Sequence, residues 1–181
     1  MYESEMIEVL DDYGVPDGRI VSRDEAHEKG LLHRGGVVAI VNSENKILMQ
    51  RRSASKRVFP GVWDISLAAH VSAGEDSITT VMREMNEEIG FQIERKIQAK
   101  DFRFLTSFRE DIMPGDKVEK HWYDLFVIVK NIDIKNLCFN DAEVDGVAWL
   151  SYTDIIKLKE SGQLSPRQGW ITPVFKFINK L

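Results

Sequence analysis

The chain has 181 residues, 43% of them hydrophobic and 29% charged, with a formal net charge of −5. That length suits one domain of about 100–200 residues with a core of its own, and the acidic balance excludes a non-specific nucleic-acid binder, which needs a basic surface. The single cysteine, Cys138, excludes an internal disulfide and a cysteine-rich zinc site and fits a reducing, cytoplasmic setting. Residues 1–10 carry acids where a secretory leader carries basic residues, and no segment approaches about 18 uninterrupted apolar residues, so no membrane association is expected.

In chain order, residues 5–22 read as a hairpin, with turn signals at Asp12, Gly14, Pro16 and Gly18. Val37–Val41 is an apolar strand, Asn42–Lys46 a polar turn, and Ile47–Met49 a returning strand that runs into Arg51 and Arg52. Phe59–Gly74 is a connection punctuated by glycine and proline, with some strand character. Ser77–Ile89 is the clearest helix: Asp76 or Ser77 caps its start, Gly90 closes it, and Ile78, Val81, Met82, Met85 and Ile89 form one apolar stripe. Strands follow at about Phe102–Phe108, Tyr123–Val129 and Val144–Leu150, and helices at Thr153–Glu160 and Pro173–Lys180. The pattern predicts an α+β domain, a mixed sheet packed between helices as an α/β/α sandwich.

Chemistry concentrates on the predicted helix. Glu84, Glu87 and Glu88 lie at i, i+3 and i+4, so they project from one side, away from the apolar stripe. Like charges so placed destabilise a helix, and a hard divalent cation that accepts their oxygens removes the penalty. Arg83 can hold one carboxylate through a bidentate pair. An acidic run alone is usually a solvated face; the added spacing of Glu75, Arg83 and Gly90 argues for more.

The segment from Ala69 to Phe91 resembles the Nudix box, G-x5-E-x7-R-E-U-x-E-E-x-G-U, in which U is a bulky apolar residue. Glu75, Arg83, Glu84, Met85, Glu87, Glu88, Gly90 and Phe91 match, and Ala69 stands where the box has its first glycine. The resemblance implies a hydrolase that cuts a diphosphate linkage in a nucleoside diphosphate-linked or other organic diphosphate. Its cofactor would be Mg²⁺ or Mn²⁺, held by Glu84, Glu87 and Glu88 with the backbone at Ala69. Glu75 would support the loop and Arg83 orient the carboxylates; Glu88, Glu119 and Glu143 are the candidates for general base. The likeness also implies that residues 1–30 form a hairpin and lead-in to a catalytic domain over 31–181, and that the chain is a homodimer.

A second likeness lies outside the box. The run LLHRGGVVAIVNSENKILMQRRSASKRVFPGVWDISLAAHVSAGE resembles the isopentenyl diphosphate isomerase branch of the family. Those isomerases hold a metal with three histidines and two glutamates; His27, His33, His70 and Glu119 match, and His121 falls at the second glutamate. This implies an additional divalent metal at the histidines, since imidazole and carboxylate together suit Zn²⁺ or Mn²⁺. Proton transfer across an alkene needs an acid–base pair, however, and the branch's cysteine position holds Ala68, so hydrolysis is the favoured chemistry and isomerisation the alternative. A non-catalytic diphosphate-binding module is a further alternative, against which the complete acidic set argues. Arg51, Arg52, Lys56 and Arg57 are candidates to grip substrate phosphates, and Asp101–His121 to read the group attached to them. Phe59 and Trp63 either wall the pocket or pack in the core.

Overall fold

The computed structural model describes residues 5–89, 97–115, 117–137 and 142–181, with the side chains of Asn86, Glu88, Ile89 and Asn136 outside that description. The strand β3 (His33–Val41) is buried at nearly every position and wholly apolar from Val37 on, which only a sheet covered on both faces satisfies. Val37, Ala39 and Val41 enter one core, and Val38 and Ile40 the other. The first core is closed by α3 (Tyr152–Glu160) and α4 (Ile171–Ile178), through Ile155, Ile171, Val174 and Ile178. The second is closed by α2 (Ser77–Ile89), through Val81 and Met85. The expected α/β/α arrangement is therefore the observed one.

β3 organises the sheet. It runs parallel to β8 (Glu119–Val129) over its whole length, from His33 opposite His121 to Val41 opposite Val129. It is antiparallel to β6 (Leu67–His70), β4 (Ile47–Arg52) and β1 (Met6–Leu10). Outward from these lie β2 (Pro16–Ser22) on β1, β5 (Trp63–Asp64) and β9 (Val144–Leu150) on β4, and β7 (Arg103–Ile112) on β8. One parallel pair among antiparallel neighbours makes the sheet mixed.

The elements differ from the sequence expectation in several places, among them β7, which runs past Phe108 to Ile112. An unexpected helix, α1 (Arg23–Lys29), follows the hairpin: the Ser22 hydroxyl accepts from the Glu25 amide at 3.2 Å, and Gly30 closes it in the left-handed region. Only Ala26 of its seven residues is buried, so it carries no apolar stripe from which to be read. β3 and β8 begin at His33 and Glu119, not at Val37 and Tyr123, because parallel pairing extends them through polar residues. α4 starts at Ile171, with Pro173 in its first turn, where a missing amide costs nothing. Among the described residues no helix is long and apolar enough to cross a membrane.

A cleft between carboxylates and imidazoles

The acidic turn is held by its own helix. The Thr79 amide donates to Asp76 Oδ1 at 2.8 Å, capping α2, and the Ser77 hydroxyl donates to Asp124 Oδ2 at 2.5 Å, tying the helix start to β8. Arg83 then spans three carboxylates: Nη1 lies 2.5 Å from Glu84 Oε1 and 3.7 Å from Glu87 Oε2, and Nη2 lies 3.3 Å from Glu75 Oε2. Thr80 donates to the same Glu75 oxygen at 2.7 Å, and this bond, with Arg83, holds the Glu75 carboxyl below the usual range. Glu88 and Gly90, both singled out by the sequence, lie outside the described side chains and residues respectively. Ala69 sits within β6 opposite Gly36, in ordinary extended backbone with no positive φ, so an alanine is accommodated there.

The chain's four histidines are gathered by four different elements. α1 supplies His27, β3 His33, β6 His70 and β8 His121; the parallel register sets His33 beside His121, with ring centroids 4.5 Å apart. One ligand nitrogen from each lies within 4.8 Å of all the others. His27 Nε2 is 3.0 Å from His70 Nε2, and His27 Nδ1 is 3.5 Å from Glu119 Oε1. His33 Nδ1 donates to the Leu31 carbonyl at 2.8 Å, so its Nε2 keeps a lone pair, and that atom is buried without a partner among the described residues, as is His121 Nδ1. Buried polar atoms are normally satisfied. Two orphaned imidazole nitrogens within a convergent set fit a nitrogen-rich cation site.

Electrostatics keeps these donors ready. Burial, reinforced by His33 and Arg23, holds His27 at about 4, and burial also holds His33 at about 4. Burial together with neighbouring cations pushes His70 and His121 well below the usual imidazole range. All four are neutral near pH 7, the form that ligates a metal. Burial raises the Glu119 carboxyl, against the lowering fields of Arg167 and Arg23.

Both groups open on one cleft of about 610 Å³. Glu84 and Glu87 line it from α2, and His27, His70 and Glu119 from the imidazole side. Of the basic candidates, Arg52, Lys56 and Arg57 line it, whereas Arg51 is exposed and donates to the Gly61 carbonyl. Lys56 pairs with Glu143, which also lines the cleft. Phe59 is a wall residue, while Trp63 packs against the core. From Asp101–His121, Ile112 and Glu119 reach the cleft. Sequence reasoning missed Glu5, Arg23 and Arg167, which line it from the two ends of the chain. The Ser22 cap and the Gly30 stop were the available signals for the helix that carries Arg23 and His27.

A family model described as the NUDIX domain matches residues 32–169, a span that holds α2 and three of the four histidines. Nudix hydrolase 3 of Arabidopsis thaliana is 31% identical over 153 residues, covering 83% of this chain and 20% of its own length. The isopentenyl-diphosphate Delta-isomerase of Serratia proteamaculans is 30% identical over 157 residues, covering 86% and 81%. The uncharacterized Nudix hydrolase PA4841 of Pseudomonas aeruginosa is 37% identical over 90 residues, covering 50% and 53%. The chain thus spans only 20% of the length of the Arabidopsis relative and 53% of that of the Pseudomonas one. DR0079 of Deinococcus radiodurans shares the fold with a TM-score of 0.70 at 20% identity, over 95% of this chain and 98% of its own. The MutT protein of Methanosarcina mazei Go1 does so with 0.60 at 18%, over 82% and 94%. With the family model matching most of its length, the chain belongs to the NUDIX domain family.

Proposed function

We propose that the protein is a divalent-metal-dependent hydrolase that cleaves a diphosphate linkage in a small organic diphosphate. The observation that carries this reading is the sharing of one cleft of about 610 Å³ by the α2 carboxylates and the imidazole cluster, a size within the ~300–1,000 Å³ of small-molecule sites. Glu84, Glu87 and Glu88 would hold Mg²⁺ or Mn²⁺, with Ala69 beside them, and the four histidines with Glu119 would hold a second, more nitrogen-preferring cation. Bound divalent cations supply charge neutralisation and Lewis acidity to a diphosphate. Arg83, with Glu75, fixes the α2 carboxylates in one orientation before substrate arrives. Arg52, Lys56 and Arg57 line the approach for phosphate oxygens. Glu119 and Glu143 both line the cleft and are the described candidates for taking the proton of the attacking water.

The test is a turnover panel of nucleoside diphosphate sugars, dinucleoside polyphosphates, dinucleotide cofactors, coenzyme A and prenyl diphosphates, with Mg²⁺ or Mn²⁺. A monophosphate or phosphate product is expected only with metal, and Glu84→Gln with Glu87→Gln should lower kcat by about 100-fold or more. Undiminished hydrolysis by that double variant would falsify the reading.

A second reading, isomerisation of a prenyl diphosphate, is favoured by the histidine set and by the relative named as an isomerase. It is opposed by Ala68, a lining residue of the cleft whose methyl transfers no proton. Uptake of deuterium from heavy water into intact substrate would establish it; its absence at high enzyme concentration would remove it.

A further inference from the structure

Of the two most deeply placed strand imidazoles, His33 is oriented by its hydrogen bond to the Leu31 carbonyl, whereas His121 Nδ1 is buried with no partner among the described residues. Packing places the His121 ring instead. Side chains two apart on a strand share a face, and the next residue on that face of β8 is Tyr123. The two rings lie parallel, with centroids 4.9 Å apart and planes 6° apart. The other imidazoles meet His121 at steep angles, His33 at 66°, His70 at 49° and His27 at 66°.

Tyr123 is itself boxed in, with 1% of its surface exposed. Parallel register sets it opposite Gly35 of β3, where a Cβ would come within 2.5 Å of its ring. Antiparallel register sets it opposite Phe108 of β7, with ring centroids 5.6 Å apart. Phe108 in turn fills the space that a Cβ on Gly169 would need. The Tyr123 hydroxyl lies beside the Arg167 guanidinium and interacts with it, without a hydrogen bond of ordinary geometry. Arg167 is fixed at both ends: Nη2 donates to the buried Asp64 Oδ2 at 2.9 Å, and its carbonyl accepts from the Trp170 indole at 2.9 Å. Asp64 Oδ1 accepts from the Ile65 amide at 2.9 Å. These neighbours leave the phenol ring one place to lie.

We infer that Tyr123 is a positioning residue: its ring, boxed between Gly35, Phe108 and the Arg167–Asp64 pair, holds the His121 imidazole in the plane from which it ligates the cation of the imidazole cluster. The inference rests on the cation reading of those histidines and deepens it by naming what aims one of the ligands. Stacked rings resist tilting, and an imidazole already ordered when the metal arrives binds it more tightly. A ligated imidazole also takes up positive charge, which the electron-rich face of a phenol favours. The ring carries the effect, and the hydroxyl adds only to its anchorage.

The experiment adds Co²⁺ to the metal-stripped protein in excess Mg²⁺, which competes for carboxylates and not for imidazoles, and follows the visible absorption of nitrogen-rich Co²⁺. Co²⁺ affinity should fall about ten-fold or more in Tyr123→Leu, and stay within about three-fold of the wild type in Tyr123→Phe, which keeps the ring. In the metal-free protein, NMR relaxation of the ring carbons should show His121 as ordered as His33 in the wild type and in Tyr123→Phe, and looser in Tyr123→Leu. If Tyr123→Leu fails to fold, Gly35→Ala, which drives a Cβ against the Tyr123 ring, should reproduce the loss of affinity. A His121 ring that is loose in the wild type, or a loss in Tyr123→Phe equal to that in Tyr123→Leu, would overturn the inference. The two readings fail separately. A wild type that binds neither Co²⁺ nor Zn²⁺ removes the cation site and the positioning role with it; wild-type affinity in Tyr123→Leu keeps the site and removes the role alone.

Discussion

Arg83 touches Glu75, Glu84 and Glu87 at once, a task that only a branched cation can perform. Without a positive charge between them these carboxylates repel, and they would splay before any metal arrived. Arg83→Lys keeps the charge but offers one point contact in place of a fork. We expect kcat to fall about ten-fold and the metal concentration for half-activity to rise, with Tm moving by less than about 3 °C because the side chain is 38% exposed. A wild-type metal dependence in that variant would assign Arg83 to the surface alone. This part of the site was legible in the sequence because one helical turn fixes its geometry: i, i+3 and i+4 are neighbours whatever the rest of the chain does. Glu5, Arg23 and Arg167 were not legible, because their arrival depends on pairings across the whole sheet. The histidines fall between these cases, since residues from four separate elements converge through strand register, and only the likeness to the isomerase branch brought them together on the sequence.

At the scale of elements, the site depends on how closely α2 can seat on β3. Gly36 is the reason it can: a Cβ there would overlap Val81 of α2, while Gly35 beside it leaves the same room for the Tyr123 ring. Gly36→Ala should therefore push the acidic helix off the sheet, costing about 1–3 kcal/mol in denaturant unfolding and lowering activity by misplacing Glu84. Adding Val81→Ala should recover part of both losses, since the two sites share one space; a double variant no better than the sum of its parts would place the strain elsewhere. Strand identity and the long amphipathic helix were readable because apolar periodicity is a local signal. α1 was hidden because seven residues with one buried alanine produce no periodicity, and the polar starts of β3 and β8 because their pairing is long-range. A helix that brings His27 and Arg23 to the cleft thus owes its place to capping at Ser22 and Gly30 more than to a hydrophobic face.

Across the whole molecule, gathering four neutral imidazoles in the interior makes stability depend on pH. His27 and His33 have pKa values of about 4 in the folded chain against 6.5 in the unfolded one, so between those values the unfolded chain binds more protons. Their contribution is fully present above 6.5 and is lost as the pH falls toward 4. Glu5, Glu110 and Glu119 act with the opposite sign: burial raises their carboxyls, so what they contribute is present at low pH and lost as the pH rises through their folded values. At pH 5.5 the two histidines alone should cost roughly 3 kcal/mol relative to pH 7.5, or about 5–10 °C in Tm for a chain of this size, and His70 and His121 push the same way. The check is Tm of the metal-free protein from pH 7.5 to 5.5, beside a His27→Gln, His33→Gln variant in which the slope should flatten. A cation such as Zn²⁺ or Mn²⁺ added at pH 7.5 should raise Tm while releasing few protons to solution, because the imidazoles are already neutral. At pH 5.5 the same cation finds protonated imidazoles mainly in the unfolded chain, so its stabilisation should persist well below the pH at which free histidine loses metal. A Tm that stays flat on acidification, or that no divalent cation raises, would mean that the four imidazoles are solvated and do not form a buried ligand set.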